Sequence, residues 1–225
     1  MSFVAENRLP LEMKVPGLFG RFQERLLGEP RTLILMRLAL EQVANGGPVD
    51  PDLHQVTLQE LMARPTYEIG WFSRDEAIRR LRQGHSLFVL RRGEQNTCFG
   101  WVECGTATNR WMRLRFELPD DVVYFSGLFT IPAYRRKGLA ARLWGALARI
   151  YKERGAKYVV VAVDPDNEPS IRLHAGLGFA PYQTITYRSW LRIVRYYCVK
   201  DARSESRRRF VGLFRDWSSL WKTFW

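Results

Sequence analysis

The chain has 225 residues, 46% of them hydrophobic and 26% charged, ordinary values for a globular protein with one good core. No apolar run approaches the ~20 residues of a membrane span, and no basic segment followed by an apolar run marks a signal peptide. Three cysteines, Cys98, Cys104 and Cys198, form neither a metal spacing nor an even disulfide set, so no metal site is expected and a reducing cytoplasm is the expected compartment. The net charge of +12 is uneven: residues 1–100 carry 13 Lys/Arg against 12 Asp/Glu, and residues 101–225 carry 22 against 11. An anionic cofactor, substrate or surface therefore belongs to the second half. Despite a pI of about 10.0, no helix-turn-helix, zinc-finger or RNP signature supports a nucleic-acid partner.

In chain order, residues 16–27 place Leu18, Phe19, Phe22 and Leu26 on one helical face, and 33–40 read as a strand. The run Asn-Gly-Gly-Pro-Val-Asp-Pro-Asp over 45–52 reads as a linker. It divides an N-terminal extension (1–50) from a main domain (51–200), with a tail at 201–225. A short strand ends at Val56. Thr57-x-x-Glu60 and Ser73-x-x-Glu76 are capping boxes for two helices, the first stopped by Pro65 and the second by Gly84. Runs 86–91 and 97–103 flank a hairpin turn at 93–96. Alternation over 111–118 predicts another strand, and Asp120-Asp121 turns into an apolar strand over 124–130 that Pro132 ends. Leu143, Trp144, Leu147 and Ile150 give 140–151 helical spacing, and Gly155 closes that helix. The unbroken β-branched run 158–163 suits a buried parallel strand. Two further strands, 182–191 and 193–199, close the sheet, and no internal repeat appears.

The turn between strand and helix carries the chemistry. Arg135, Arg136, Lys137, Gly138, Leu139 and Ala140 stand at a helix N-terminus, where free N–H groups and the helix dipole favour an anion. Gly138 permits close approach of a ligand, and the three cations add charge. The turn alone also fits a solvated basic loop. However, Arg135-x-x-Gly138-x-Ala140 resembles the Arg/Gln-x-x-Gly-x-Gly/Ala signature of the GCN5-related N-acetyltransferases (GNAT superfamily). In addition, Asn167-x-x-Ser170-x-x-Leu173-His174-x-x-x-Gly178-Phe179 is similar to that family's second block. Neither a Gly-x-Gly-x-x-Gly nor a Gly-Lys-Ser/Thr fingerprint is present. The resemblance is strong over 120–182 and extends across about 54–199.

The resemblance implies an α/β (α+β) GNAT fold: a central mixed, twisted sheet of about seven strands with helices on both faces. It implies an acyl-CoA-dependent N-acyltransferase with acetyl-CoA, or another acyl-CoA, as co-substrate. Backbone groups of Leu128, Phe129 and Thr130 would hold the pantetheine arm and polarise the thioester. Residues Arg135 to Ala140 would bind the diphosphate, with Asn167 and Ser170 contributing at the second block. An amine then attacks directly. His174 stands where many relatives have Tyr and would protonate the departing thiolate; a histidine bonding a backbone carbonyl within its helix is the other reading. For the base, Glu103 at a strand end is the candidate, against a solvated strand-end charge. The acceptor stays open among an amino sugar of envelope-polysaccharide synthesis, another small-molecule amine and a protein lysine. A CoA-binding module without turnover is the alternative function.

The tail has a pattern of its own. Phe210, Leu213, Phe214, Trp217, Leu220, Trp221 and Phe224 fall at helical spacing beside Arg207, Arg208, Arg209, Arg215 and Lys222. This predicts a basic amphipathic helix over 203–225, suited to an anionic membrane surface, which would hold the protein at the inner face of the membrane. The rival partners for that stripe are the chain's own domain and a second copy in a homodimer.

Overall fold

The computed structural model describes residues 30–44, 50–64, 69–70, 72–109, 114–190, 194–201 and 207–213. The expected helix over 16–27 lies outside these residues.

Among the described residues the strands are β1 Arg31–Ala39, β2 Leu53–Val56, β3 Ser86–Arg92, β4 Gln95–Glu103, β5 Thr106–Asn109, β6 Leu114–Glu117, β7 Val122–Thr130, β8 Tyr158–Val163, β9 Ala180–Trp190, β10 Val194–Asp201 and β11 Arg207–Leu213. Nine of these form one sheet in the order β11-β10-β9-β1-β8-β7-β4-β3-β2, and β5 and β6 form a separate hairpin. Four helices accompany them: α1 Leu58–Ala63, α2 Arg74–Arg82, α3 Leu139–Glu153 and α4 Glu168–Gly176. Among the described residues β7 and β8 are the one parallel pair, joined through α3 as a parallel crossover requires. The mixed sheet with helices on both faces agrees with expectation, but its nine strands exceed the seven expected.

Each strand sends alternate residues to opposite faces. One face packs under α3: Phe88 and Leu90 of β3, Val123 and Phe125 of β7, and Val159, Val161 and Val163 of β8 meet Leu143, Trp144 and Leu147. On the other face Leu87, Val89, Phe99 and Trp101 pack against Leu61 and Ala77 of α1 and α2. Farther along that face, Val122, Tyr124 and Val160 lie with Ala107 and Leu118, residues of the β5–β6 hairpin region. Burying each large apolar side chain is worth about 1.5–3 kcal/mol.

Both capping boxes are half made. Glu60 N–H donates to Thr57 Oγ1 (3.1 Å), and Glu76 N–H to Ser73 Oγ (3.3 Å). The two carboxylates do not turn back to the caps. Glu60 pairs with His54 (2.7 Å) and Arg91 instead. Burial works against its charge, but those hydrogen bonds win and hold its pKa at about 2. Glu76 pairs with Arg79 (2.6 Å) and Arg80 (3.0 Å).

Two assignments require correction. The 33–40 strand belongs to no separate extension: β1 lies inside the sheet, antiparallel to β8 on one side and β9 on the other. Its Leu33, Leu35, Met36 and Leu38 are buried, so the boundary drawn at 45–52 cuts through the core. The helix expected over 203–225 is replaced by strand over Arg207–Leu213, which pairs with β10; residues 214–225 lie outside those described. The i, i+3 spacing of Phe210 and Leu213 suits a helix, but β10 offers a free edge whose N–H and C=O groups demand partners.

Removing residues 1–50 should therefore abolish cooperative unfolding, because β8 and β9 lose the strand between them. A thermal melt monitored by circular dichroism checks this; a shortened chain that melts like the parent would put β1 outside the core.

Candidate active site

β7 and β8 pair over only three positions, Val122↔Tyr158, Val123↔Val159 and Tyr124↔Val160. Beyond Tyr124 they part. On its other side β7 stays bound to β4, but with a bulge: Phe99 and Trp101 of β4 face Phe129 and Ser126 of β7. The extra residue accompanies Gly127, whose φ is 61°. A Cβ there would also lie 2.7 Å from the Phe72 ring, so glycine is required by conformation and by space.

The parting opens a cavity of about 680 Å³. Leu128, Asn167, Ser170 and His174 line it with Trp144 on the α3 side; Phe72, Arg80, Thr108, Asn109, Tyr124 and Ser126 line it on the other. Asp164 and Asp166 complete its rim. Four of the residues expected from sequence thus meet here. Phe129 instead packs against Phe99, with ring centroids 6.2 Å apart, and the Thr130 carbonyl accepts from Arg135 Nε (3.2 Å).

The basic turn lies beside the cavity rather than in its wall. Pro132–Tyr134 forms one 3-10 turn, and Gly138 caps α3 in the left-handed conformation (φ 72°) with no side-chain capping bond. Arg136 also has a positive φ of 62°. The first α-helical bond runs from Arg142 N–H to Gly138 O (3.0 Å), which leaves the preceding N–H groups available to an anion. Arg135, Arg136, Lys137 and Gly138 are exposed, while Leu139 is buried and anchors the helix. No heavy atom lies within 4 Å of a Cβ built on Gly138, so the turn is open to a ligand. Trp144 carries α3 from there to the cavity, six residues on and ~9 Å along the axis.

His174 is buried (4% exposed), and both ring nitrogens are engaged. Trp144 Nε1 donates to His174 Nε2 (3.0 Å), and His174 Nδ1 donates to the Ser170 carbonyl (2.7 Å). An indole nitrogen only donates and a carbonyl only accepts, so the proton sits on Nδ1 and Nε2 has none to give. The general-acid role expected of His174 is therefore corrected. In this geometry it is a neutral histidine that ties α4 to α3, and burial holds its pKa below the ordinary value against the Ser170 bond.

Glu103 is 1% exposed and not a solvated strand end. Its Oε1 accepts from Ser126 Oγ (2.5 Å) and Arg80 Nη1 (3.1 Å), and its Oε2 from Thr108 N–H (3.0 Å). It does not line the cavity itself, but its three partners Ser126, Arg80 and Thr108 all do. Arg80, buried between Glu76 and Glu103, escaped the sequence reading. The only sequence signal was an arginine on the face of α2 shared with Ala77 and Leu81. Asn167, expected at the cofactor, caps α4: its Oδ1 accepts from Ser170 N–H (3.2 Å).

His85, also buried, has its pKa lowered by desolvation, with Arg80 and Arg79 lowering it further against Glu103. For a base with a depressed pKa, the unfolded chain takes up the proton first as pH falls. Stability is then complete above about pH 6.5 and declines below it, by at most about 1.4 kcal/mol per pH unit for each group. Denaturant melts between pH 7 and 5 should show this decline, and it should flatten in the His85→Gln/His174→Gln variant; equal slopes would refute the assignment of neutral, buried histidines.

Residues 55–179 match the family model for the acetyltransferase (GNAT) family. A probable N-acetyltransferase HLS1-like of Arabidopsis thaliana is 31% identical over 98 residues, covering 39% of this chain and 24% of that protein. An aminoglycoside N(6')-acetyltransferase type 1 of Salmonella typhimurium is 29% identical over 68 residues, covering 30% and 47%. The match therefore spans half or less of these two relatives. An aminoglycoside N(6')-acetyltransferase type 1 of Serratia marcescens is 35% identical over 142 residues, covering 61% of this chain and 79% of that protein. Among solved structures, a GNAT-family acetyltransferase of Colwellia psychrerythraea shares the fold at TM-score 0.53 and 11% identity, covering 76% of this chain and 61% of that one. On the family match across more than half of its length, the chain belongs to the GNAT acetyltransferase family.

Proposed function

We propose that the protein is an acyl-CoA-dependent N-acyltransferase that moves an acetyl group from acetyl-CoA to a small-molecule amine, an amino sugar being the favoured acceptor. The observation that carries this reading is the 680 Å³ cleft between β7 and β8 beside an uncapped, cation-rich helix N-terminus. The residues present fit a CoA thioester: the turn at Gly138 is open, and its N–H groups and cations suit a diphosphate. The Leu128–Thr130 backbone would hold the pantetheine arm, and an N–H on this bulged segment would polarise the thioester carbonyl. Acetyl-CoA supplies the activated acyl group.

This chain's own groups handle the proton. Ser126 Oγ takes one from the amine while passing its own to Glu103 Oε1 at 2.5 Å. Arg80 holds the Glu103 carboxylate in place. The proton released as the amide forms serves the thiolate, since His174 has none on Nε2 to give. Asp164 and Asp166 at the rim favour a cationic acceptor, and the names of the aminoglycoside-acetylating relatives support an amino sugar. A CoA-binding module without turnover is the second reading, favoured by the engaged nitrogens of His174 and the fully bonded Glu103 carboxylate.

Two variants should separate binding from chemistry. Gly138→Val should abolish acetyl-CoA binding in calorimetry while the thermal melt persists. Ser126→Ala should keep that affinity but lose about 10²-fold in turnover of the best amine from an amino-sugar panel. A parent chain that binds acetyl-CoA yet acetylates no amine would favour the second reading.

A further inference from the structure

A second cavity of about 320 Å³ lies behind the first, between α3, α4 and the end of β1. Its walls include Leu38, Val43, Gly145, Ala148, Leu177 and Phe179, with no charged side chain. Its size is at the lower end for ligand sites. Trp144 belongs to the lining of both cavities, which places this residue at their common boundary.

That ring is fixed from several directions. Its Nε1 donates to His174 Nε2 (3.0 Å), and Phe125 packs on it with centroids 4.8 Å apart. Gly100 of β4 gives it room, since a Cβ there would lie 2.3 Å from Trp144 Cζ3. His174 is in turn held by the Ser170 carbonyl and by the edge of Phe179 (5.2 Å), itself a wall of the second cavity. A two-ring system this constrained is a rigid partition rather than a mobile filler.

Building on the acyltransferase reading, we propose that Trp144 is the specificity-determining residue for acyl length. It stops the acyl group of a CoA thioester at the cleft and closes off an apolar pocket that would otherwise take a longer chain. The hydrogen bond from Trp144 to His174 gives His174 its part: it positions the stop and does not touch the reacting atoms. The pocket is mostly apolar and uncharged, with Gln42 its one polar side chain besides the Trp144 indole, so the occupant it admits once opened is a hydrocarbon chain and not a cationic amine acceptor. Gly145 supplies a control, because a Cβ built there meets nothing within 4 Å and a larger side chain fills free space.

Calorimetry on the full chain, with acetyl-CoA and hexanoyl-CoA as probes, tests this without any acceptor. Trp144→Ala should raise the ratio of hexanoyl-CoA to acetyl-CoA affinity at least about tenfold over the parent, since each added buried methylene contributes favourably. Trp144→Leu should give a smaller rise and guards against a failure of the alanine variant to fold. Trp144→Phe should raise the ratio less than Trp144→Leu, because it keeps most of the ring's bulk and loses only the bond to His174 that positions it. The double variant Trp144→Ala/Gly145→Leu should return the ratio toward the parent's by filling the opened pocket. An unchanged ratio in folded Trp144→Ala or Trp144→Leu overturns the proposal. A parent chain that binds neither thioester overturns instead the acyltransferase reading beneath it.

Discussion

Two parallel strands that pair for three residues and then separate are the feature on which the rest of this molecule depends. A gap in the middle of a sheet leaves N–H and C=O groups without ladder partners, a costly state if buried away from water or ligand. The gap persists because each side is secured elsewhere. β7 is bound to β4 along its length, including across the Gly127 bulge, and β8 is bound to β1 over six residue pairs. The cleft is thus a seam between two well-paired half-sheets, bridged at one end by the Val122–Tyr124 pairing and roofed by α3. That architecture gives a ligand exposed backbone on one wall and a helix N-terminus beside it, without asking any loop to order.

The buried charges follow a similar logic. Arg80, Glu76 and Glu103 are each less than 8% exposed, and Arg80 also lies over the Phe72 and Trp101 rings at 4.7 and 5.3 Å. Removing such groups from water costs about as much as their pairing returns, so the network is a poor way to gain stability. It does fix orientation. Each oxygen of Glu103 has a donor, and the Ser126 hydroxyl that faces the cleft has one dominant direction for its proton.

Local chemistry was legible in the sequence where it is local in space. The Arg135–Ala140 turn, the helix after it, the β-branched parallel strand and the Thr57 and Ser73 caps could be read from runs of a few residues, and each lies where that pattern puts it. What escaped was set by partners far along the chain. β1 was read as a strand, but periodicity does not say which strands will accept it. Thr106–Asn109 is short and polar, so β5 left no alternation to find. Arg207–Leu213 carries a helical stripe that becomes an edge strand once β10 is present. Trp144 was legible as core, yet its spacing could not reveal that its indole faces His174. His174 itself was read with two roles in view, and it was the carbonyl four residues back and the indole thirty residues back that chose between them.

The position of β1 also has a consequence for how the chain assembles. Its neighbours come from far along the sequence: Thr32 and Thr186, whose hydroxyls meet across β1 and β9, are 154 residues apart. During synthesis the strand that will fill the centre of the sheet emerges early, while β8 and β9, the two edges it must join, come late. Until then an apolar strand has both edges open, a state prone to pairing with other chains. Such non-local closure slows folding, and the slot between β8 and β9 stays a sticky, strand-shaped gap until it is filled. The first described strand of this protein is, in the order of assembly, among its last.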